Sequence, residues 1–156
     1  MLDDNHVVDI LLVEDDPSDA KLTLRSLKQG NVANDVYLVK DGEEALDFLF
    51  CRNEYAGRSK SQRPKVVLLD IKLPKVDGIE VLRQIRADPQ LSSLPVVLLT
   101  SSQQDKDILA GYAFHANSYV VKPVAFKDFS ENVRDLGMYW LLVNTPPTAV
   151  PEVAVP

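Results

Sequence analysis

Short apolar runs alternate with amphipathic stretches along most of this chain. The runs at residues 10–13, 66–69 and 96–99 are apolar at every position, as in strands that are buried on both faces. The stretches between them place apolar residues three and four positions apart, which is the spacing of a helix that buries one face. The alternation predicts a parallel sheet covered by helices on both sides.

The predicted elements form a strand–helix unit that repeats five times. Strands are predicted at residues 7–13, 36–39, 65–69, 95–99 and 118–121. Helices are predicted at residues 20–29, with Pro17 suited to the first turn, and at 43–50, 79–87, 105–114 and 125–143. Segment 51–64 is polar, basic and without periodicity, so it is predicted to be a surface loop.

Composition places the chain among single-domain globular proteins. Its 156 residues suffice for one core, and we interpret residues 1–143 as one domain whose core begins near residue 7. Residues 144–156 contain four prolines and no periodicity, which predicts an extended tail that leaves no room for an attached effector domain.

Charge and hydropathy exclude several classes of partner. The net charge of −6 argues against nucleic-acid binding, which normally requires a basic face. No signal peptide and no apolar stretch of membrane-spanning length is present, and Cys51 is the only cysteine. A cytoplasmic location without membrane contact is expected.

Four predicted strands end at polar residues whose side chains can bind a ligand or take part in a reaction. These residues are Glu14 and Asp15 after the first strand, Asp70 after the third, Thr100 after the fourth and Lys122 after the fifth. Because ligand sites of parallel sheets lie outside the carboxyl ends of the strands, we expect these groups to meet at one edge.

The chemistry of this set favours phosphoryl transfer. Close carboxylates repel one another, and Mg²⁺ (or Mn²⁺) relieves that cost through hard oxygen ligands. A carboxylate can act as nucleophile and form an aspartyl-phosphate, while a metal ion and a lysine stabilise the charge that develops. Acids after strands are otherwise helix caps, and Asp16 is suited to cap the helix that follows it.

Four motifs resemble the receiver domain of two-component response regulators, over residues 7–143. They read Leu-Leu-Val-Glu-Asp-Asp-Pro, Leu-Leu-Asp-Ile-Lys-Leu-Pro-Lys-Val-Asp-Gly, Pro-Val-Val-Leu-Leu-Thr-Ser and Ser-Tyr-Val-Val-Lys-Pro. The resemblance implies a flavodoxin-like fold, a (βα)5 doubly wound parallel sheet with strand order 2-1-3-4-5. It also implies a signalling protein, not an enzyme, with at most slow autophosphatase activity.

The resemblance further implies a role for each site residue. Asp70 would accept a phosphoryl group from a histidine kinase. The metal ligands would be Asp15 directly, Glu14 through water, Asp70 and the main-chain carbonyl of Lys72. Lys122 would pair with the phosphoryl group, aimed by a cis bond to Pro123. Thr100 and Tyr119 would be the switch pair that alters the face formed by the fourth helix, fifth strand and fifth helix.

A narrower resemblance points to the small regulators that partner cyanobacterial phytochromes. It rests on the insert at 51–64, the run at 115–119 and the ending from Tyr139-Trp140 to Pro146-Pro147. It implies a light-sensing, phytochrome-type kinase as the phosphoryl donor. His115 departs from the wider family, in which most members have Gly at that turn.

The last predicted helix is apolar beyond the stripe that should face the sheet. Surplus apolar residues on a helix suggest a partner surface, and here we expect a homodimer. The residues of this face are Met138, Tyr139, Leu141 and Leu142. A tail that folds back over them is the alternative.

Three other functions remain to be distinguished. A haloacid-dehalogenase-type phosphatase needs an acid two residues after the nucleophile, where this chain has Lys72. A flavin carrier needs a Ser/Thr/Gly-rich loop after the first strand, where this chain has three acids. A phosphorylation-independent adaptor is disfavoured by the complete set of acids, hydroxyl and lysine.

Overall fold

The computed structural model describes residues 7–29, 35–101, 116, 118–125, 127–128 and 130–131. Five parallel strands form one sheet in the order β2-β1-β3-β4-β5. The strands are β1 (Ile10–Val13), β2 (Val36–Val39), β3 (Val66–Asp70), β4 (Val96–Thr100) and β5 (Ser118–Val121). The described helices are α1 (Pro17–Gln29), α2 (Gly42–Phe50) and α3 (Gly78–Ala87). The flavodoxin-like fold and its strand order are confirmed.

Burial differs between central and edge strands for a topological reason. Every residue of β1, β3 and β4 is buried, since helices can cover both faces of a central strand. The edge strands β2 and β5 are only partly buried, because each has a neighbour on one side alone. The expectation that strands are apolar on both faces therefore holds for the centre of the sheet.

Alternate residues of each strand supply two separate cores. Leu11, Val13, Leu69 and Leu98 belong to the core under α2 and α3, which also takes in Leu46, Leu49, Val81, Leu82 and Ile85. Leu12, Leu68 and Val120 belong to the core on the opposite face, together with Leu27 of α1. Side chains alternate between the two faces of the sheet along each strand. A residue just beyond a strand end therefore lies on the same face as the residue two positions before it.

Local capping sets where the helices begin. Oδ1 of Asp16 accepts hydrogen bonds from the backbone N–H of Ser18 (2.8 Å) and of Asp19 (3.1 Å), and Pro17 follows as the first helical residue. The expected capping role of Asp16 is confirmed. Asp41 and Asp77 cap α2 and α3 in the same way.

The segment at 51–64 connects α2 to β3 and lies mostly at the surface, in agreement with the predicted surface loop, but it has more local order than a loop needs. It contains two short 3-10 helices, Asn53–Tyr55 and Lys60–Gln62, and it buries Tyr55 and Arg58. The Arg58 guanidinium lies 4.0 Å from the centre of the Phe48 ring, and Tyr55 packs edge-on against that ring. The burial of Tyr55 and Arg58 was not predicted, because the contacts that order the segment come from α2, outside the window in which periodicity is sought.

Some predicted features fall outside the described residues. They are the helix at 105–114, the end of the helix at 125–143, the dimer face of Met138, Tyr139, Leu141 and Leu142, His115 and the tail at 144–156. Within the described part of the chain, no helix is both long and apolar enough to cross a membrane.

Candidate functional site

The carboxyl ends of β1, β3 and β5 meet at one edge of the sheet. Val13 pairs with Leu69 in register, so Glu14 and Asp70 leave neighbouring strands side by side. Counting in twos from Leu12, Leu68 and Val120 places Glu14, Asp70 and Lys122 on one face, which is the face that α1 covers. Strand pairing alone therefore gathers two acids and a lysine that are far apart in the chain.

Three carboxylates form an acidic cluster at this edge. One oxygen each from Glu14, Asp15 and Asp70 lies within 4.8 Å of the others. Glu14 and Asp70 are buried, whereas Asp15 is exposed at the mouth of the cluster. Buried carboxylates at this spacing repel one another and need a cation nearby.

Lys122 provides a positive charge inside the cluster. Its Nζ donates hydrogen bonds to Glu14 Oε1 (3.0 Å), Asp19 Oδ2 (3.0 Å) and Asp70 Oδ2 (3.1 Å). Burial by itself would lower the pKa of Lys122, but the hydrogen bonds to Asp19, Glu14 and Asp70 raise that pKa above its ordinary value. The lysine is therefore held in its charged form.

Burial makes the Glu14 carboxylate hard to ionise. Burial raises its pKa to about 7, against the hydrogen bond from Lys122 and a backbone N–H bond from Asp16 that both favour the charged form. The nearby charge of Asp70 raises the pKa of Glu14 further. One ammonium cannot neutralise three carboxylates, and the donor set has the hard oxygen chemistry of a Mg²⁺ or Mn²⁺ site.

The position of Lys122 is fixed by the chain on both sides of it. Its backbone N–H donates to the carbonyl of Thr100 at 2.7 Å, which ties it to the end of β4. The Lys122–Pro123 peptide bond is cis, as the resemblance implied. Lys72, whose carbonyl the resemblance places among the metal ligands, is exposed two residues after Asp70.

Thr100 and Tyr119 lie on the opposite face from Lys122. Thr100 is completely buried and continues the alternation of Leu98, which pairs in register with Tyr119. Tyr119 is 44% exposed. The two residues therefore share one face of neighbouring strands, with Thr100 nearer the carboxyl edge.

A glycine lets the loop after β3 approach the site closely. A Cβ on Gly78 would lie 2.2 Å from the backbone oxygen of Asp70, so only glycine fits there without a shift. The backbone N–H of Gly78 donates to the carbonyl of Ile71 at 2.7 Å. The start of α3 is thus packed directly against the strand end that presents Asp70.

Among the described residues, Asp19 is a carboxylate partner of Lys122 that the sequence did not predict. It lies in the first turn of α1 and its side chain is 36% exposed. The sequence offers only a partial signal, because it places an acid in the first turn of α1 but does not show which face of the sheet α1 covers. Predicting the contact needs the packing of α1 on the sheet.

Comparisons with known proteins agree with this geometry. The family model of the response regulator receiver domain matches residues 10–134. A probable methanogenesis regulatory protein, FilR2 of Methanothrix harundinacea, is 43% identical over 138 residues, which is 88% of this chain and 86% of that protein. Response regulator Rcp1 of Synechocystis is 39% identical over 140 residues, which is 90% of this chain and 93% of Rcp1.

Solved structures give the same result. The bacteriophytochrome response regulator RtBRR is 48% identical, with a TM-score of 0.81 over 91% of this chain and 85% of that one. A Mn²⁺-bound form of Rcp1 is 38% identical, with a TM-score of 0.67 over 90% of this chain and 99% of that one. The similarity covers between 85% and 99% of the matched chain in each of these four comparisons.

Proposed function

The chain belongs to the response regulator receiver domain family, and from that premise we propose that it accepts a phosphoryl group on Asp70 from a histidine kinase and relays the signal. The observation that carries the proposal is the contact of Lys122 with Asp70, at 3.1 Å, beside two further acids. A buried carboxylate next to a fixed ammonium and a candidate cation site has the parts that an anionic transfer needs.

The proposed reaction is a displacement at phosphorus. An oxygen of Asp70 forms a bond to phosphorus while the phosphorus–nitrogen bond of the donor phosphohistidine breaks. The histidine nitrogen keeps the electron pair and takes a proton from solvent. Lys122 holds positive charge beside the oxygens that become more negative during the transfer.

Glu14, Asp15 and Asp70 would hold the divalent cation, with the carbonyl of Lys72 as the remaining protein ligand. Their oxygens, which lie within 4.8 Å of one another, fit such an ion. When bound, Mg²⁺ or Mn²⁺ would supply Lewis-acid stabilisation of the phosphoryl oxygens. Phosphorylation would then shift the conformational equilibrium of the Thr100 and Tyr119 side chains and so alter the surface near β5.

The kinase is proposed to be of the phytochrome type. Support comes from the similarity to RtBRR, which is described as a bacteriophytochrome response regulator. Phosphotransfer from a phytochrome histidine kinase should be much faster than transfer from a histidine kinase with an unrelated sensor. Equal or slower transfer would contradict this choice of partner and leave the phosphoacceptor role intact.

The first test is phosphorylation by a small donor. We expect the purified protein, incubated with phosphoramidate and Mg²⁺, to gain the mass of one phosphoryl group by intact mass spectrometry. Asp70→Asn should gain nothing because the nucleophile is removed. Asp77→Asn is the matched control, since Asp77 is exposed and caps α3. Folded wild-type protein that stays unmodified would instead favour a phosphorylation-independent adaptor.

A further inference from the structure

Within the part of the chain that the structure describes, the ammonium of Lys122 has three carboxylate partners, one for each of its hydrogens. Its three N–H donors can point to Glu14, Asp19 and Asp70, all at 3.0–3.1 Å. Glu14 and Asp70 belong to the acidic cluster, whereas Asp19 does not. Asp19 is therefore the partner of Lys122 that would be neither phosphorylated nor used as a metal ligand.

The fold holds Asp19 in place from both sides. Its backbone N–H donates to Asp16 Oδ1 at 3.1 Å, so the cap that begins α1 also fixes the residue. The next residue, Ala20, is buried, which anchors this turn of α1 against the protein. The beginning of a helix also favours a negative charge, so the Asp19 carboxylate is stable there while it pairs with Lys122.

We propose that Asp19 is a positioning residue that anchors Lys122 for phosphoryl transfer, an inference that rests on the function proposed above. Once Asp70 carries a phosphoryl group, its charge and its free oxygens are redistributed, and the lysine must direct a donor to a phosphoryl oxygen. Asp19 retains its own ion pair throughout, so the ammonium stays aimed at the site. Without this anchor the long lysine side chain samples other orientations.

The test separates the rate of the chemical step from donor binding. Rates of phosphorylation are measured by intact mass over a range of phosphoramidate concentrations, with saturating Mg²⁺. We expect Asp19→Asn to lower the maximal rate about tenfold, below the ~10²-fold that misplaced catalytic groups can cost. The concentration of donor that gives half the maximal rate should not change. A merely structural role would lower the active fraction and leave the rate constant unchanged.

Two further variants identify the cause. Asp19→Glu keeps the carboxylate and should recover most of the maximal rate, whereas Asp19→Ala should match Asp19→Asn. If either Asp19→Asn or Asp19→Ala fails to fold, the other still gives the rate. Asp9→Asn is the matched control: Asp9 pairs with Lys65 at 3.1 Å beside the opposite end of β1, and its loss should leave the rate unchanged.

The outcomes distinguish this inference from the proposed function. Wild-type protein that takes up no phosphoryl group would overturn both. Reactive wild-type protein with an unchanged or faster Asp19→Asn variant would overturn the role of Asp19 alone. Asp19→Glu as slow as Asp19→Asn would overturn it as well, because the carboxylate would then not be what matters.

Discussion

At the scale of single residues, two glycines decide how closely the loop after β3 packs. Gly78 meets the backbone of Asp70, and Gly42 meets the backbone of Val76 on the other side of the same loop. The N–H of Gly42 also donates to the carbonyl of Pro74 at 3.4 Å. The segment that follows Asp70 is therefore held between the first turns of α2 and α3.

Substitution of Gly42 tests this packing. A Cβ there would lie 1.8 Å from the backbone oxygen of Val76, so Gly42→Ala must displace the loop. We expect its free energy of unfolding to fall by about 1–3 kcal/mol, the usual cost of overpacking. Urea unfolding measures the change. Glu43→Ala, exposed in the same helical turn, should stay within about 0.5 kcal/mol. Equal effects of the two substitutions would contradict the close approach.

At the scale of elements, the segment at 51–64 is attached to α2 through side-chain contacts. The Tyr55 hydroxyl donates to Glu44 Oε2 at 2.8 Å and lies 2.9 Å from the Tyr37 hydroxyl. Burial, together with these hydrogen bonds, raises the pKa of Tyr55 above its ordinary value. Lys60 Nζ also forms an ion pair with Asp88 Oδ1, 2.9 Å away at the end of α3. The insert thus links β2, α2 and the end of α3.

Removing one hydroxyl tests whether this chain of hydrogen bonds stabilises the insert. Tyr55→Phe leaves both Glu44 and Tyr37 without the Tyr55 oxygen, so we expect a loss of about 1–2 kcal/mol in the free energy of unfolding. Tyr37→Phe is the comparison, because it keeps the bond from Tyr55 to Glu44 and should cost less. Chemical unfolding of both variants gives the answer. A smaller loss for Tyr55→Phe than for Tyr37→Phe would contradict the network.

At the scale of the whole molecule, the sheet concentrates negative charge at one edge. The chain carries a net charge of −6, and the carboxylates of Glu14, Asp19 and Asp70 pair with one lysine, Lys122, whose side chain is only 11% exposed. A buried pair that loses one partner leaves an uncompensated charge, which is costly. The stability of the fold and the binding of a cation at this edge should therefore be coupled.

Lys122→Met measures that coupling. With a chelator present to remove metal ions, we expect the free energy of unfolding of the variant to fall by about 3 kcal/mol, because the carboxylates lose the ammonium of Lys122. Adding Mg²⁺ should raise its melting temperature more than that of the wild type, because the ion would take the place of the ammonium charge.

Lys60→Met is the control for the loss of an ion pair. Its partner Asp88 lies 2.9 Å away and the lysine is 26% exposed, so the cost should be below about 1 kcal/mol and independent of Mg²⁺. Equal responses of wild type and Lys122→Met to Mg²⁺ would contradict a cation site at this edge.

The sequence by itself determined the fold and the principal members of the site. Strands buried on both faces carry an unbroken apolar pattern, and parallel strands present their carboxyl ends at one edge. The strand order was implied by the resemblance to the receiver family, and these two local signals predicted the parallel sheet itself. They also singled out Glu14, Asp15, Asp70, Thr100 and Lys122.

Only the tertiary structure decided which groups complete the site and the insert. Asp19 and Lys122 are 103 positions apart, and they meet because α1 covers the face on which the lysine lies. Tyr55 and Arg58 are buried because α2 offers them the Phe48 ring, although their own segment is polar. Sequence periodicity reports how a segment is buried, whereas a contact between segments depends on the packing of elements that no local window contains.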